Sequence, residues 1–259
     1  MGKQSLVVGN WKMELSYKGE LELARALKRQ FKNVPVTDTE VVVCPSHPSL
    51  ATVAAVFGAG SKVVVGAQHV HWEEKGAWTG EVSVLQVAPY VKWCIVGHSE
   101  QRALLGMTEE DVQRTVSLLI QHGIAPVVCV GETREEKEMD QTVAKVTGQV
   151  KVLLSKMVRT GLLKLAVAYE PIWAIGTGDT PDPTDAAGIM LLIRKIVAGR
   201  FGNEAAQRLR ILYGGSVKSD NVEPYIKEPG VDGVLVGGAS VQPRQFVEIV
   251  KIVQAASSQ

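Results

Sequence analysis

Three side chains that could catalyse a proton transfer each follow a short apolar segment. They are Lys12 in Gly9-Asn10-Trp11-Lys12, His98 in Gly97-His98-Ser99-Glu100, and Glu170 in Ala168-Tyr169-Glu170-Pro171. A carboxylate can act as a general base toward a C–H proton, and an imidazole kept neutral at a helix N-terminus can donate to a carbonyl oxygen. A lysine ammonium can hold a phosphate and stabilise a developing enediolate. The set therefore predicts proton transfer beside a carbonyl group, although any one of these residues alone would more often be solvated or structural.

Two glycine pairs follow the last two apolar segments. They are Gly214-Gly215, before Ser216, and Gly237-Gly238, before Ala239. Because glycine has no Cβ, the backbone can approach a ligand closely, and its N–H groups can face a phosphate together with a helix N-terminus. One pair alone would more often form a tight turn. Two pairs on neighbouring segments favour a phosphate site.

The segment after Glu170 begins with stiff residues and continues to a glycine-rich tip. Pro171 and Trp173 restrict its start, whereas Gly176-Thr177-Gly178 is expected to be mobile. Such a loop could close over a phosphate and exclude water from the reaction. The predicted lid consists of Pro171, Ile172, Trp173, Ala174, Ile175, Gly176, Thr177, Gly178, Asp179, Thr180 and Pro181.

Eight short apolar segments, rich in Val and Ile, recur along the chain and would position these residues. They span 6–8, 41–44, 63–65, 93–96, 126–130, 165–169, 210–213 and 233–236. Continuous apolar runs are typical of strands buried on both faces of a parallel sheet. Eight strands alternating with helical segments predict an α/β fold, a closed (β/α)₈ barrel, as one domain over residues 1–259. The alternative is an open doubly wound sheet, which would favour G-x-G-x-x-G after the first strand, where this chain has Gly9-Asn10-Trp11.

Helical periodicity and capping signals separate the strands. A 3.6-residue spacing groups Leu21, Leu23, Ala24 and Leu27 on one face, and Val143, Val146, Val150, Leu153, Leu154 and Met157 on another. Helix starts are indicated by the pairs Thr108/Asp111 and Thr133/Glu136 and by Asp182-Pro183. In a barrel of this kind, chemistry occurs where strands end and the following loops begin. Lys12, His98, Glu170 and both glycine pairs are therefore expected at one end of the barrel.

Composition limits the possible partners and the compartment. The chain has 28 Lys and Arg against 27 Asp and Glu, so it has no general attraction to nucleic acid or to an anionic membrane. Three dispersed cysteines, Cys44, Cys94 and Cys129, argue against a disulfide framework and fit a reducing cytoplasm. Residues 1–5 lack the apolar segment that is typical of a signal peptide, and the sequence has no long apolar run. Neither a signal peptide nor a transmembrane helix is therefore expected. His69 and His71 could share one strand face as metal ligands, but no third ligand has a recognisable spacing, so no metal site is predicted.

The motifs at the strand ends are similar to those of the triosephosphate isomerase family. The similarity is carried by Gly9-Asn10-Trp11-Lys12, Gly97-His98-Ser99-Glu100, the long block over 168–178, Tyr213-Gly214-Gly215-Ser216 and Val236-Gly237-Gly238-Ala239-Ser240. The motifs occur along the whole chain in the family's order and spacing. The block around Glu170 is highly specific to the family, whereas a glycine pair alone is weak evidence. The resemblance implies a TIM barrel that interconverts dihydroxyacetone phosphate and D-glyceraldehyde 3-phosphate in glycolysis and gluconeogenesis, without a cofactor.

The resemblance also implies a role for each site residue. Glu170 would move the proton between neighbouring carbons, and His98 would polarise the carbonyl group. Asn10 and Lys12 would bind substrate, with Glu100 supporting Lys12. The phosphate would be held by backbone N–H groups of Gly176, Ser216, Gly237 and Gly238.

A homodimer is a further implication. The segment 72–81 resembles the family's third loop, which inserts into a partner subunit near Asn10 and Lys12. Its predicted interface residues are Gly76, Ala77, Trp78, Thr79, Gly80 and Glu81. Without the resemblance, the segment is an exposed loop with two tryptophans, which is unusual in a monomer.

Three positions depart from the family pattern. Gln101 stands where Arg is usual, His69 where Asn or Asp is usual, and Asp179-Thr180-Pro181 replaces Lys-Thr-Ala at the second hinge of the lid. In the family, the tyrosine at the position of Tyr213 bonds the backbone N–H of the third hinge residue. Pro181 has no N–H. We therefore expect this hinge to use Thr180, Ser216 or another partner.

Two other functions remain as alternatives at this stage. A phosphate-binding barrel without catalysis would not need Asn10, Lys12, His98 and Glu170 together. An aldolase that forms a Schiff base would need a lysine within a strand, whereas Lys12 lies beyond its strand. Another ketose isomerase remains possible on the residues alone.

Overall fold

The computed structural model describes residues 3–162 and 164–257; residues 1–2, 163 and 258–259 of the predicted domain lie outside this range. Eight parallel strands close into a barrel in chain order, with the last strand pairing with the first. The strands are β1 (Ser5–Asn10), β2 (Thr39–Cys44), β3 (Val63–Ala67), β4 (Trp93–Val96), β5 (Ala125–Val130), β6 (Ala166–Tyr169), β7 (Arg210–Tyr213) and β8 (Gly233–Val236). This confirms the predicted (β/α)₈ barrel and every predicted strand to within two residues at each end.

Helices connect the strands around the outside of the barrel. Those up to β5 are α1 (Tyr17–Phe31), α2 (His47–Phe57), α3 (Val84–Val87), α4 (Ser99–Leu105) and α5 (Glu109–Gln121). After β5 come α6 (Arg134–Glu138), α7 (Thr142–Ser155) and α8 (Arg159–Leu162). The remainder are α9 (Pro183–Phe201), α10 (Asn203–Arg208), α11 (Val222–Lys227) and α12 (Pro243–Ser257), and 3₁₀ turns span Ile172–Ala174 and Gly238–Val241.

The core has two layers, one inside the barrel and one between the strands and the helices. On β1, Leu6 and Val8 belong to the inner layer, whereas Val7 packs in the outer layer. Successive side chains of a strand point to opposite faces, so burial on both faces requires the continuous apolar runs seen in the sequence.

The predicted helix starts are confirmed, but one predicted helix face is partly wrong. Thr108 and Thr133 form capping boxes, and Asp182 accepts from the N–H of Thr184 before α9. On α7, however, Val143 is exposed in the first turn, and Met157 follows the end of the helix. Periodicity identifies the face of a helix, but it does not show how far the neighbouring helices cover it.

The cysteines are all buried and unpaired within the barrel layers. Burial raises the pKa of the Cys44 thiol above its usual range. Among the described residues, no helix combines the length and apolar character needed to cross a membrane.

Candidate active site

One cavity of about 560 Å³ lies at the carboxyl ends of the strands. It brings together nearly all of the predicted catalytic and phosphate-binding residues. Its lining includes Asn10, Lys12, His98, Glu170, Gly176, Ser216, Gly237 and Gly238. Glu100 does not line the cavity; it bonds from outside to Lys12, which does.

Glu170 is a buried carboxylate with one oxygen left without a donor. It follows β6 directly, and only 2% of the residue is exposed. Oε2 accepts a hydrogen bond of 3.1 Å from the backbone N–H of Ser99. Oε1 lies 3.2 Å from Nε2 of His98, but it accepts no hydrogen bond of normal geometry from a described residue. A buried carboxylate oxygen with an unused lone pair is suited to accept a proton from a bound ligand.

Two glycines leave the space that Glu170 occupies. A Cβ on Gly214 would lie 2.9 Å from Cγ of Glu170, and a Cβ on Gly131 would lie 1.7 Å from its carbonyl oxygen. Gly131 is also held by its N–H, which donates to Oε1 of Gln149 at 2.8 Å. The lack of side chains at Gly131 and Gly214, next to β5 and β7, therefore determines where Glu170 can lie.

The hydrogen bonds of His98 indicate which ring nitrogen carries the proton. His98 caps α4, and its Nδ1 accepts from the N–H of Glu100 at 3.3 Å. An Nδ1 that accepts cannot carry a proton, so the neutral ring carries it on Nε2. Nε2 is the nitrogen beside Glu170 in the cavity. The imidazole can therefore donate to an oxygen atom of a ligand.

Lys12 is held by contacts at its backbone and at its ammonium group. Its φ is +52°, a left-handed conformation that is uncommon for a residue other than glycine. Its N–H donates to Oδ1 of Asn10 at 3.1 Å, and its carbonyl accepts from Nε2 of Gln68 at 2.8 Å. Nζ lies 2.5 Å from Oε1 of Glu100. These contacts place the cation beside Gly237, where a Cβ would lie 3.8 Å from Nζ.

The phosphate-binding prediction corresponds to three loop segments on one side of the cavity. Gly176, Ser216 and the pair Gly237-Gly238 all line it, and a 3₁₀ turn begins at Gly238. Within the described part of the chain, the N–H groups of Gly176 and Ser216 donate to no protein acceptor. Free N–H groups near a helix start and one lysine form a suitable site for a phosphate dianion.

The first half of the predicted lid is anchored to the loop after β5. The indole N–H of Trp173 donates to Glu132 at 2.8 Å, and the hydroxyl of Tyr169 lies 3.2 Å from both oxygens of the same carboxylate. Burial raises the pKa of Glu132, opposed by these hydrogen bonds. The ammonium of Lys137 lies 3.2 Å from the centre of the Trp173 ring, a cation–π contact.

The second half of the lid has different anchors. Arg134 donates to the carbonyl of Trp173 at 3.2 Å and to Asp179 at 2.8 Å, so one side chain joins both halves. The carbonyl of Pro181 accepts a 2.6 Å bond from the hydroxyl of Tyr225. Tyr225 is thus a hinge partner that the sequence did not identify, and in the described part of the chain no hydrogen bond joins Thr180 or Ser216 to the backbone of Pro181.

The predicted interface segment forms an exposed loop whose aromatic side chains pack against one another. His71 is buried between Trp72 and Trp78, with ring centroids 4.2 Å and 4.4 Å away, and Trp78 is 48% exposed. His69 lies 3.6 Å from Glu81. His69 and His71 thus have separate partners within the loop.

Sequence reasoning missed the residues that support the site from neighbouring loops. Gln68, Glu132, Arg134 and Tyr225 hold Lys12, the lid or the hinge through contacts distant in sequence. Glu132 had a usable signal, because it follows a predicted strand. Arg134 lies within the helix-start motif 133–136, which does not indicate a contact with the lid. Gln68 and Tyr225 stand in no motif, and only the closed barrel brings these residues to the site.

Comparison with known proteins identifies one family over almost the whole chain. The sequence model described as triosephosphate isomerase matches residues 5–253. A triosephosphate isomerase of Carboxydothermus hydrogenoformans is 41% identical over 251 residues, covering 96% of this chain and 98% of the relative. One of a Thermoanaerobacter species is 40% identical over 249 residues, covering 96% and 99%, and one of Chloroflexus aurantiacus is 40% identical over 246 residues, covering 95% and 97%.

Proposed function

The chain belongs to the triosephosphate isomerase family and interconverts dihydroxyacetone phosphate and D-glyceraldehyde 3-phosphate, and from this premise we propose that Glu170 is the base that moves the proton. The observation that carries the proposal is its buried Oε1, which accepts no hydrogen bond of normal geometry from a described residue and lies 3.2 Å from Nε2 of His98 at the cavity. Such an oxygen can take a proton from one carbon of the bound triose phosphate.

The proposed reaction passes through an enediolate. Glu170 takes the proton from C1 of dihydroxyacetone phosphate, and the C2 carbonyl oxygen acquires negative charge. Nε2–H of His98 donates to this oxygen, and the Lys12 ammonium stabilises the charge. His98 then moves a proton between the two oxygens, and Glu170 returns the carbon-bound proton to C2. The protein supplies one base and one neutral donor, which suffice for a 1,2-proton shift.

Phosphate binding is proposed to position the substrate for this transfer. N–H groups of Gly176, Ser216, Gly237 and Gly238 would bind the dianion, with Lys12 beside it. The segment 171–181 would then close over the site as a lid and exclude water, which strengthens the electrostatic contacts of the enediolate. Asn10 would bind substrate, and Glu100 would keep Lys12 in place.

The contacts of Lys12 argue against the aldolase alternative. A Schiff-base lysine must lose its proton to attack a carbonyl. Nζ of Lys12 instead forms an ion pair with the Glu100 carboxylate at 2.5 Å. The binding-scaffold alternative does not explain why Glu170 and His98 meet in the cavity.

Isomerisation in D₂O followed by ¹H NMR tests the proton shift. A proton held by a carboxylate base can exchange with solvent in a fraction of turnovers before it is returned, so we expect part of the product to carry deuterium at the carbon that receives the proton. Product containing only the original substrate hydrogen in every turnover would indicate a direct hydride shift, and it would remove Glu170 from the proposed role.

We further propose that the chain works as a cytoplasmic homodimer built from one domain over residues 1–259. Support comes from exposed apolar side chains. Met13, which directly follows Lys12, is 94% exposed. Leu104 and Leu105 are exposed on α4, the helix that contains Glu100. Trp78 adds a fourth exposed apolar group. The predicted interface residues 76–81 would cover these groups in a partner subunit.

A further inference from the structure

The second hinge of the lid is attached to the barrel through a carbonyl group. Pro181 has no N–H, so only its carbonyl can form a backbone hydrogen bond. That carbonyl accepts a 2.6 Å bond from the hydroxyl of Tyr225, which lies on α11. The next residue, Asp182, caps α9 through its bond to the N–H of Thr184. The hinge is thus fixed on one side by α9 and on the other by Tyr225.

Tyr225 itself is rigidly placed by a second tyrosine. Its ring stacks on that of Tyr213 with centroids 4.0 Å apart and planes inclined by 6°. Tyr213 and Tyr225 are 0% and 4% exposed. Two buried rings in a face-to-face offset stack have little rotational freedom, so the Tyr225 hydroxyl is held in position without help from solvent.

Tyr213 connects this pair to the phosphate loop but makes no comparable bond to the hinge. A Cβ on Gly215 would lie 2.1 Å from the Tyr213 hydroxyl, so the ring lies directly beneath the loop 214–216. The hydroxyl forms no hydrogen bond of normal geometry with a described residue. Burial and the neighbouring Tyr225 hydroxyl raise the pKa of Tyr213. Of the two hydroxyls, only that of Tyr225 holds the hinge.

We propose that Tyr225 is a positioning residue for catalysis, and that its hydrogen bond to the Pro181 carbonyl fixes the pivot about which the lid closes. The same stacked pair lies against the phosphate loop, so the pivot and the phosphate site keep a constant separation. The N-terminal half of the lid is held by Glu132 and Arg134, whereas the tip at 175–178 has no bond to loop 214–216 among the described residues. The tip can therefore move while the pivot stays in place.

The inference rests on the proposed role of residues 171–181 as a lid, and two matched variants test it. Tyr225→Phe removes the bond to Pro181 and keeps the stacked ring. Tyr213→Phe makes the same chemical change on the partner ring. Two properties of each variant are measured. Steady-state kinetics give kcat and KM, and mass spectrometry gives the hydrogen exchange of the peptide over 175–180. Exchange is measured with and without 2-phosphoglycolate, a two-carbon carboxylate analogue of the enediolate. Thermal unfolding shows whether each variant retains the fold.

We expect Tyr225→Phe to lower kcat about five- to tenfold, the effect of losing one buried hydrogen bond, with KM within about twofold of wild type. Exchange over 175–180 should become faster, and 2-phosphoglycolate should protect the segment less than in wild type. Tyr213→Phe should lower kcat less than Tyr225→Phe does, with unchanged exchange of 175–180, because the bond to the Pro181 carbonyl is kept. A merely structural role would lower the unfolding temperature without this specific change in exchange.

Either of two results would overturn the assignment of Tyr225. One is wild-type kcat and wild-type exchange in Tyr225→Phe, and the other is an equal loss in Tyr213→Phe. Failure of the lid itself is distinguishable, because 2-phosphoglycolate would then leave exchange over 175–180 unchanged in wild type. Should Tyr225→Phe be destabilised, both Phe variants are compared below its unfolding temperature, where a greater loss of kcat is still expected for Tyr225→Phe.

Discussion

The position of the Glu170 carboxylate depends on residues that have no side chain. Gly214 is the clearest example, because a Cβ there would meet Cγ of Glu170 at 2.9 Å. The motif around Gly214 predicted a phosphate loop from its residue types. That the same glycine also makes room for the base could not be predicted, since it depends on the packing of β6 against β7.

Gly214→Ala should therefore displace the Glu170 carboxylate and lower kcat by at least about tenfold, since small displacements of a catalytic group have large kinetic effects. Steady-state turnover measures the effect. Gly199→Ala is the matched control, because its Cβ on α9 would meet nothing within 4 Å, and it should keep wild-type turnover. Equal kcat for Gly214→Ala and wild type would show that the carboxylate has room elsewhere.

At the scale of elements, the loop after β5 holds the lid through the buried carboxylate of Glu132. Burial raises its pKa above the ordinary value of a glutamate side chain. The protonated carboxyl is therefore favoured in the folded protein. The stability that protonated Glu132 contributes is fully present below its pKa in the unfolded chain. This stability is lost as the pH rises through the higher pKa of Glu132 in the folded protein.

Glu132→Gln keeps an oxygen that can accept from Trp173 and removes this titration. We expect the stability of the variant relative to wild type to rise as pH increases from about 4.5 toward neutrality, measured as urea midpoints at each pH. Glu135→Gln is a control of opposite sign, because hydrogen bonds at the helix start lower the pKa of this exposed carboxyl. Parallel curves for Glu132→Gln and wild type would contradict the account of Glu132.

The elements themselves were largely predictable, for a physical reason. Strands buried on both faces require continuous apolar runs, and capping residues such as Thr108 and Thr133 mark helix starts through local bonds. Val143 was placed wrongly because burial depends on the neighbouring helices. Gln68 and Tyr225 were not predicted because their partners are separated from them by 56 and 44 residues.

At the scale of the whole molecule, the proposed dimer would cover exposed apolar groups such as Met13 and Trp78. Sedimentation at micromolar concentration should give twice the 27.9 kDa mass of one chain. Trp78→Asp should shift the protein toward monomer, because a carboxylate at an apolar interface is costly to desolvate. Glu110→Gln, a change on exposed surface of α5, should leave the mass unchanged. A wild-type chain that sediments as a monomer would refute the proposed dimer.

The proposed reaction depends on one buried carboxylate, that of Glu170, which takes a proton from carbon. The most direct test is turnover of D-glyceraldehyde 3-phosphate by wild type and Glu170→Gln in a coupled assay, with binding of 2-phosphoglycolate measured by calorimetry on the same samples. We expect fast turnover by wild type, a loss of at least about a thousandfold in kcat for Glu170→Gln, and retained binding of the analogue. Turnover by Glu170→Gln within about tenfold of wild type would show that another group removes the proton, and it would contradict the central claim.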